Sequence, residues 1–342
     1  MKDIGKVDNN KSLVSICIPT YNSARYLKQC LDSIAAQTYK HVEVIISDNA
    51  STDDTVSIIS EYVNRYGFKL NINPVNIGAG ENFNKLISLA KGKYIAIYHA
   101  DDVYDDSIVE ESVGILDENE TVGLAGTMGN IMNEDGELFN TMRLPRHLKK
   151  LSKTIYTFEE ALSGIVKRGW FFVTPSIMVR KKVYDELGVF DTRSYVSAGD
   201  YAFWMKVASK YNVAIIDKKL MNYRVHKNQG TQREVRMNTG VADIVLVINK
   251  YKELTTNKRL QHWCDDCINV NIISSARRQN YCGLFGKSNE TLKTLKTNQI
   301  EFMIQRYAIR LCNIFKISIK KRILLVPAMR LKDAMSKYTD IS

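Results

Sequence analysis

Three short polar segments, each directly after an apolar run, hold residues able to do chemistry: Pro19-Thr20-Tyr21-Asn22, Ser47-Asp48-Asn49-Ala50-Ser51 and His99-Ala100-Asp101-Asp102. Adjacent carboxylates repel unless water or a cation stands beside them. A hard divalent ion such as Mg²⁺ or Mn²⁺ takes one or two carboxylates together with the oxygens of a diphosphate. Asp101-Asp102 reads equally as such a cation site or as capping residues for a helix starting near Asp106. Asp48 poses the same choice, because Ser, Thr and Asp ahead of a helix are ordinary caps. His99 is either a neutral nitrogen ligand or a residue packed at a strand end. No G-x-G-x-x-G, G-x-x-x-x-G-K-[ST] or G-x-S-x-G is present. A nucleotide held through a metal is therefore favoured over a dinucleotide site, a P-loop or a nucleophile elbow.

The elements that must position these segments alternate in period. Short apolar runs predict strands over 13–18, 42–46, 68–72 and 94–98. Helical spacing falls over 24–37, 53–66 and 81–91, the last ending at Gly92 as a C-cap. Strands alternating with helices imply a mostly parallel sheet covered on both faces. In such sheets ligands bind outside the carboxyl ends of the strands, and the three polar segments are the loops found there. Further on, the pattern predicts a helix over 106–118 and strands over 122–139 broken by a hairpin at Asp135-Gly136. It continues with a helix over 157–167, a strand over 172–179 and a helix over 199–211. Short strands over 213–216 and 220–225 come next, and mainly helices follow from 241.

These residues carry a family resemblance. The segment V14-S-I-C-I-P-T-Y-N22 resembles the opening strand and loop of family 2 glycosyltransferases, which have the GT-A fold. D48-N-A-S-T-D-D-T55 is similar to that family's D-D-G-S-T-D-G-T, and N76-I-G78, N82-F-N84 and A90-K-G92-K-Y94 match its next block. H99-A-D-D102 resembles D-A-D-D, with His99 in place of the first Asp. T174-P-S176 and L187-G-V-F-D191 resemble the acceptor side. G199-D-Y-A-F-W204 is similar to E-D-x-x-x-W, with Gly199 in place of the acid, and Y223-R-V-H226 to the terminal R-x-H.

The resemblance implies an α/β GT-A fold and an inverting, metal-dependent transfer from a nucleotide-sugar donor to a glycan or lipid-linked acceptor, as in O-antigen or capsule synthesis. Asp48 would bind the nucleobase and Pro19, Thr20, Tyr21, Asn22 and Asn76 would line the nucleotide. Asp101 would sit near the ribose, and Asp102 with His226 would hold Mn²⁺ or Mg²⁺. Asp200 would be the general base, and Thr174, Pro175 and Trp204 would face the acceptor. On residue type alone, Asp200 is also a helix cap, His226 a surface-loop histidine, and Asn82 and Asn84 capping or packing residues. Because His99 and Gly199 depart from the pattern, a catalytically inactive sugar-nucleotide-binding module is the alternative.

Charge divides the chain. Residues 1–228 hold 28 Lys+Arg against 28 Asp+Glu, and the whole net charge of +11 lies in 229–342. A GT-A domain over 1–228, with a nucleotide-sugar half over 13–105 and an acceptor half over 106–228, would thus be followed by a basic helical region over 229–342. Across 302–325 basic residues gather opposite Ile304, Tyr307, Leu311, Ile314 and Phe315. That pattern suits either an anionic membrane, through 302–332, or packing on the catalytic domain. Nucleic acid is disfavoured as a partner, since the first two thirds are neutral and carry no recognition signature. The pair Cys264-x-x-Cys267 has no second pair at zinc spacing. No apolar run approaches the ~20 residues of a membrane span, and the first twelve residues lack an apolar signal core. The expectation is a cytoplasmic protein at the inner face of the membrane.

Overall fold

The computed structural model describes residues 11–167, 171–227, 229 and 240–319. Four parallel strands form its first part: β1 (Val14–Thr20), β2 (Val42–Asp48), β3 (Lys69–Ile72) and β4 (Tyr94–Ile97). In β1 the side chains of Val14, Ile16, Cys17 and Ile18 have no exposure, and β4 is buried along its length. Strands covered on both faces read as continuous apolar runs, which is why the sequence reveals them. Helix α1 (Ala24–Ala35) buries Tyr26, Leu27, Cys30, Leu31 and Ile34, one stripe of a 3.6-residue period. Helix α2 (Thr55–Tyr66) stops at Gly67, whose φ of +70° permits the left-handed cap. Helix α3 (Ala79–Leu89) and helix α4 (Ile108–Glu118) complete this half, with the two-residue strand β5 (Val103–Tyr104) between them.

The sheet continues through β6 (Val122–Met132), β7 (Leu138–Thr141), β8 (Ile155–Tyr156), β9 (Met178–Arg180) and β10 (Asn212–Arg224). Its order is β3-β2-β1-β4-β9-β6-β10-β5, with β7 on β6 and β8 on β10. β9 runs antiparallel to both β4 and β6 and so joins the parallel group β3-β2-β1-β4 to the parallel pair β6-β10; β5, β7 and β8 also pair antiparallel with their neighbours. Arg180 ends β9 nearly buried and donates to the carbonyls of Val122, Leu116 and Asn119. It thereby satisfies carbonyls that the end of α4 leaves open.

Several expectations change. Gly92 does not cap α3, which ends at Ala90 in an extended conformation. Its place is set by close approach: a Cβ there would lie 2.5 Å from the Ser15 nitrogen. The strand expected over 172–179 is a 3₁₀ turn at Thr174–Ser176 followed by β9, because Pro175 lacks the N–H a ladder needs. An unanticipated helix α7 (Lys181–Leu187) follows, after α5 (Arg146–Lys149) and α6 (Phe158–Val166). The short strands over 213–216 and 220–225 are one strand, β10, whose register slips between Ile216 and Lys219. The exposed Asp217-Lys218-Lys219 forms a bulge where the sequence suggests a turn. The hairpin at Asp135-Gly136 is present, with Gly136 at φ +89°.

The chain divides into two compact units. Among the described residues the first comprises 11–161, 171–194 and 203–226 and carries the sheet; the second comprises 162–167, 195–202, 227, 229 and 240–319. Asn228, where the charge balance suggests a boundary, lies outside the described residues. So does 320–332 of the expected membrane segment. The second unit contains α9 (Ile244–Lys252), α10 (Lys258–Tyr281), α11 (Phe285–Lys293) and α12 (Ile300–Ile314). Asn257 caps α10 by accepting from the N–H groups of Arg259 and Leu260. Helix α12 buries Phe302, Gln305, Ile309 and Asn313 and exposes Ile304, Tyr307, Leu311 and Ile314. Asn313 is the anchor, bonded to Asn280, Ser288 and Asn289. No described helix is long and apolar enough to cross a membrane.

Candidate active site

In the first unit the ends of β1, β2 and β4 bring three loops to one sheet edge, since Thr20 pairs with Asp48 and Cys17 with Ile97 in parallel register. The first two loops are stitched together. The N–H of Asn22 donates to Ser51 Oγ at 2.8 Å, and that of Thr52 to Asn22 Oδ1 at 2.8 Å. Asn22 and Ala50 both adopt positive φ, 48° and 61°. Tyr21 and Asn22 are exposed, Pro19 is half-buried and Thr20 is buried.

Asp48 is fully buried. Its Oδ1 accepts from Thr20 Oγ1 at 3.0 Å and from Ser51 Oγ, and its Oδ2 accepts from the Ser51 N–H at 2.9 Å. These bonds lie within the loops and not at the N-terminus of α2, whose N-cap is Asp54: the carboxylate shapes the loop from beneath. Beside it, Asn49, Asn71, Asn73 and Asn82 bond to one another and to Ser47 in a network of side-chain amides. Asn76 is exposed and accepts from Asn49 Nδ2 and the Gly78 N–H. Asn82 and Asn84 are packing residues. Asn84 exchanges two hydrogen bonds with the main chain of Phe190.

The third loop carries the charge. Ligand atoms of His99, Asp101 and Asp102 all lie within 4.8 Å of one another. Neither Asp caps the following helix: its N-cap is Ser107, whose N–H and hydroxyl donate to Asp105 Oδ1. Asp102 is fully buried; its Oδ1 accepts from the Arg224 N–H at 2.8 Å, and its Oδ2 makes no hydrogen bond. Burial first, and then the neighbouring Asp101 charge, push its carboxyl well above the usual range. Asp101 is only partly buried; burial raises its carboxyl too, but the hydrogen bond from His226 and the two nearby imidazoles outweigh it and hold the carboxyl low. The His226 Nε2–Asp101 Oδ2 distance is 2.9 Å. His226 thus engages the group through Asp101, and His99 is the third member of the group itself.

These residues fit a divalent cation. Two donors each roughly 2.1 Å from one ion stand at most about 4.2 Å apart, so the three side chains need only a small adjustment to share one. A buried carboxylate oxygen without a hydrogen bond is the group such an ion would satisfy.

One residue of this site is given no role by the sequence reading. Arg224 is 1% exposed. Its Nε donates to the Asp101 carbonyl at 2.9 Å, its Nη1 to the carbonyls of Asn133 and Glu134, and its Nη2 to Gln29 Oε1. The guanidinium also lies 4.5 Å from the Tyr26 ring centre, and that ring packs on His226. A single arginine therefore ties α1, the β6–β7 hairpin and the acidic loop together. The only sequence signal is its place in the Tyr223–His226 segment.

The remaining predicted residues fall into two places. Trp204 is 2% exposed, in an aromatic cluster with Phe190 and Phe203, and its Nε1 donates to Thr174 Oγ1 at 3.2 Å. Pro175 is also buried, so of these three Thr174 alone is partly exposed. Asp200 belongs to the second unit, in the first turn of α8 (Gly199–Ala208), where its Oδ1 accepts from the Tyr201 N–H.

A mostly parallel mixed sheet flanked by helices, with a helical C-terminal part, is the architecture of the GT-A fold, and solved structures share it. A crystal structure of S. aureus TarS residues 1–349 with UDP-GlcNAc superposes at a TM-score of 0.58, with 17% identity over 89% of each chain. The mannosyltransferase PcManGT of Pyrobaculum calidifontis, with GDP-Man and Mn²⁺, gives 0.56 and 17% identity, over 90% of this chain and 86% of that one. The sequence profile of glycosyl transferase family 2 matches residues 15–188, and the chain belongs to that family. An uncharacterized glycosyltransferase of Methanocaldococcus jannaschii is 29% identical over 269 residues, 77% of this chain and 85% of its own length. The glycosyltransferase GlyG of Streptococcus pneumoniae is 24% identical over 82% of this chain and 89% of its own.

Proposed function

We propose that this protein moves a sugar from a nucleoside-diphosphate donor to a hydroxyl of a glycan or lipid-linked acceptor. The transfer inverts the anomeric centre, depends on Mn²⁺ or Mg²⁺, and serves the synthesis of a surface polysaccharide such as O-antigen or capsule. The observation that carries this reading is the His99–Asp101–Asp102 group, with its unbonded buried oxygen, at the carboxyl edge of the sheet in a family 2 chain. The UDP-GlcNAc and GDP-Man bound by the two structural neighbours support the donor class.

In this reading Pro19, Tyr21, Asn22 and Asn76 line the nucleoside, and Asp48 with Thr20 sets the shape of that wall. Asp101 and Asp102 hold the cation, while His226 keeps Asp101 ionised and aimed. Bound there, a divalent ion would act as a Lewis acid for the charge that develops on the leaving diphosphate. Asp200 accepts the proton of the acceptor hydroxyl, a role that contributes roughly 10²–10⁴-fold. Trp204 holds Thr174 toward the acceptor. One base and a single displacement through an oxocarbenium-like state give inversion. The exposed stripe of α12 and the basic excess beyond residue 228 support peripheral docking on an anionic membrane through 302–332.

The test is a thermal-shift panel of UDP-, GDP- and dTDP-sugars with and without Mn²⁺, followed by NMR of the sugar released or transferred. A donor present at about 100 times its Kd should raise stability by about 2.7 kcal/mol. Product of inverted anomeric configuration, lost in Asp200→Asn with donor binding retained, is the expected result. A retained configuration, or no shift with any donor, overturns the reading.

A further inference from the structure

We infer that His99 is itself a ligand of the cation, and that its imidazole makes this site select Mn²⁺ over Mg²⁺. The inference rests on the proposed cation-dependent transfer and specifies which ion serves it. Where the family resemblance has a carboxylate, this chain offers a ring nitrogen, grouped with one oxygen from each of Asp101 and Asp102. The exchange removes one negative charge and one hard donor. Mg²⁺ demands near-ideal oxygen coordination and gives up water reluctantly. Imidazole is above all a ligand of the later transition metals, and Mn²⁺, which opens that series, accepts a nitrogen donor more readily than Mg²⁺ does.

The surroundings of His99 favour a fixed ligand over an incidental surface ring. The root of the side chain is held on both sides. Its N–H lies 2.7 Å from Tyr104 Oη, and its carbonyl accepts from the Asp102 N–H at 3.3 Å and from Cys30 Sγ at 3.4 Å. The ring stacks on Phe83, centroids 5.9 Å apart and planes 26° apart. Preorganisation of this kind orients a metal-binding imidazole. Beside it stands the Asp102 oxygen that is buried and makes no hydrogen bond, an independent sign of an ion in that space. His226 has a different task, since its Nε2 is engaged by Asp101.

Pulsed EPR of the full chain loaded with Mn²⁺ tests this directly, because a coordinated imidazole imposes ¹⁴N modulation on the electron-spin echo. The wild type is expected to show it, and His226→Gln to keep it. His99→Asp and His99→Gln should lose it. In His99→Asp the ratio of Mg²⁺ to Mn²⁺ dissociation constants, measured calorimetrically, should fall by about tenfold or more, the scale on which changes around a ligand act. His99→Gln keeps a planar group against Phe83 and guards against a folding defect in the charged variant. Mn²⁺ binding without ¹⁴N modulation, or modulation that survives in both His99 variants, overturns the inference and leaves cation-dependent transfer standing. Failure of Mn²⁺ to bind with or without a nucleotide sugar overturns both.

Discussion

The main-chain N–H of Arg224 donates to Asp102 Oδ1 at 2.8 Å, and the guanidinium of the same residue returns to the Asp101 carbonyl at 2.9 Å. The last residue of β10 thus grips both halves of the acidic turn while reaching the β6–β7 hairpin and α1. Arg224→Lys keeps the charge, but one ammonium cannot span acceptors on three elements. Buried acceptors left without donors cost about 1–3 kcal/mol each. We expect a loss of about 2–4 kcal/mol in urea unfolding and a 10–100-fold weaker Mn²⁺ affinity. Unchanged stability and unchanged Mn²⁺ affinity in this variant would contradict the clamp.

Asp102→Asn tests the orphan oxygen. The amide keeps an acceptor for the Arg224 N–H and cannot ionise, whereas burial and the Asp101 charge make ionisation of the Asp102 carboxyl costly. Burying an unpaired charge is costly, so in EDTA the urea midpoint of the variant should equal or exceed that of the wild type. Mn²⁺ affinity should drop by more than about tenfold. A lower midpoint in EDTA would mean that the carboxylate is there for stability.

Ala50 occupies a left-handed conformation at φ 61°, in the segment where the family resemblance has glycine. A Cβ in that region costs roughly 1–2 kcal/mol, while glycine adds back about 0.5–1 kcal/mol through the unfolded chain. Ala50→Gly should therefore raise stability by up to about 1 kcal/mol, read as a higher urea midpoint. A lower midpoint would show that the methyl group contributes packing that outweighs the strain.

Glu43 supplies a pH prediction away from the site. Burial raises its carboxyl, but bonds from Lys69, Ser15 and the Lys91 N–H outweigh that and hold it low. A depressed pKa contributes stability above the unfolded value, about 4.3, and that contribution vanishes as pH falls through the folded value. Glu43→Gln should be less stable than the wild type at pH 7 and converge with it near pH 3. A difference independent of pH across denaturation curves would sink this account.

Ile304 and Leu311 are 51% and 55% exposed on α12. Replacing both with glutamate should reduce co-sedimentation with vesicles containing anionic lipid. Donor hydrolysis should be unaffected. Each basic residue near such a surface contributes about 1 kcal/mol, so wild-type binding should also weaken with salt. Equal sedimentation of variant and wild type would remove this face from membrane docking.

The parallel half of the fold was open to sequence reading, since buried strands such as Tyr94–Ile97 and striped helices such as Ala24–Ala35 declare themselves by period. Elements fixed by tertiary context did not. The polar break at Asp217–Lys219 looks like a turn, yet pairing with β6 carries the chain through it as a bulge. Gly92 has the look of a cap, yet it is chosen for the Ser15 backbone that passes beside it. At the site, Asp101 and Asp102 stood out as an adjacent pair. Arg224 was visible only as part of the Tyr223–His226 segment, because its partners are the Gln29 side chain on α1 and main-chain carbonyls of the hairpin and the acidic loop. No spacing rule encodes such acceptors.

The asparagines beneath the second loop hold one further consequence. Asn49, Asn73 and Asn82 are joined by neutral amides. Neither proton uptake nor added ions can weaken such a lattice by neutralising or screening it. The platform under the proposed nucleotide wall is thereby insulated from the electrical swings that arrival of a polyanionic donor would bring, and its shape follows from bond direction alone.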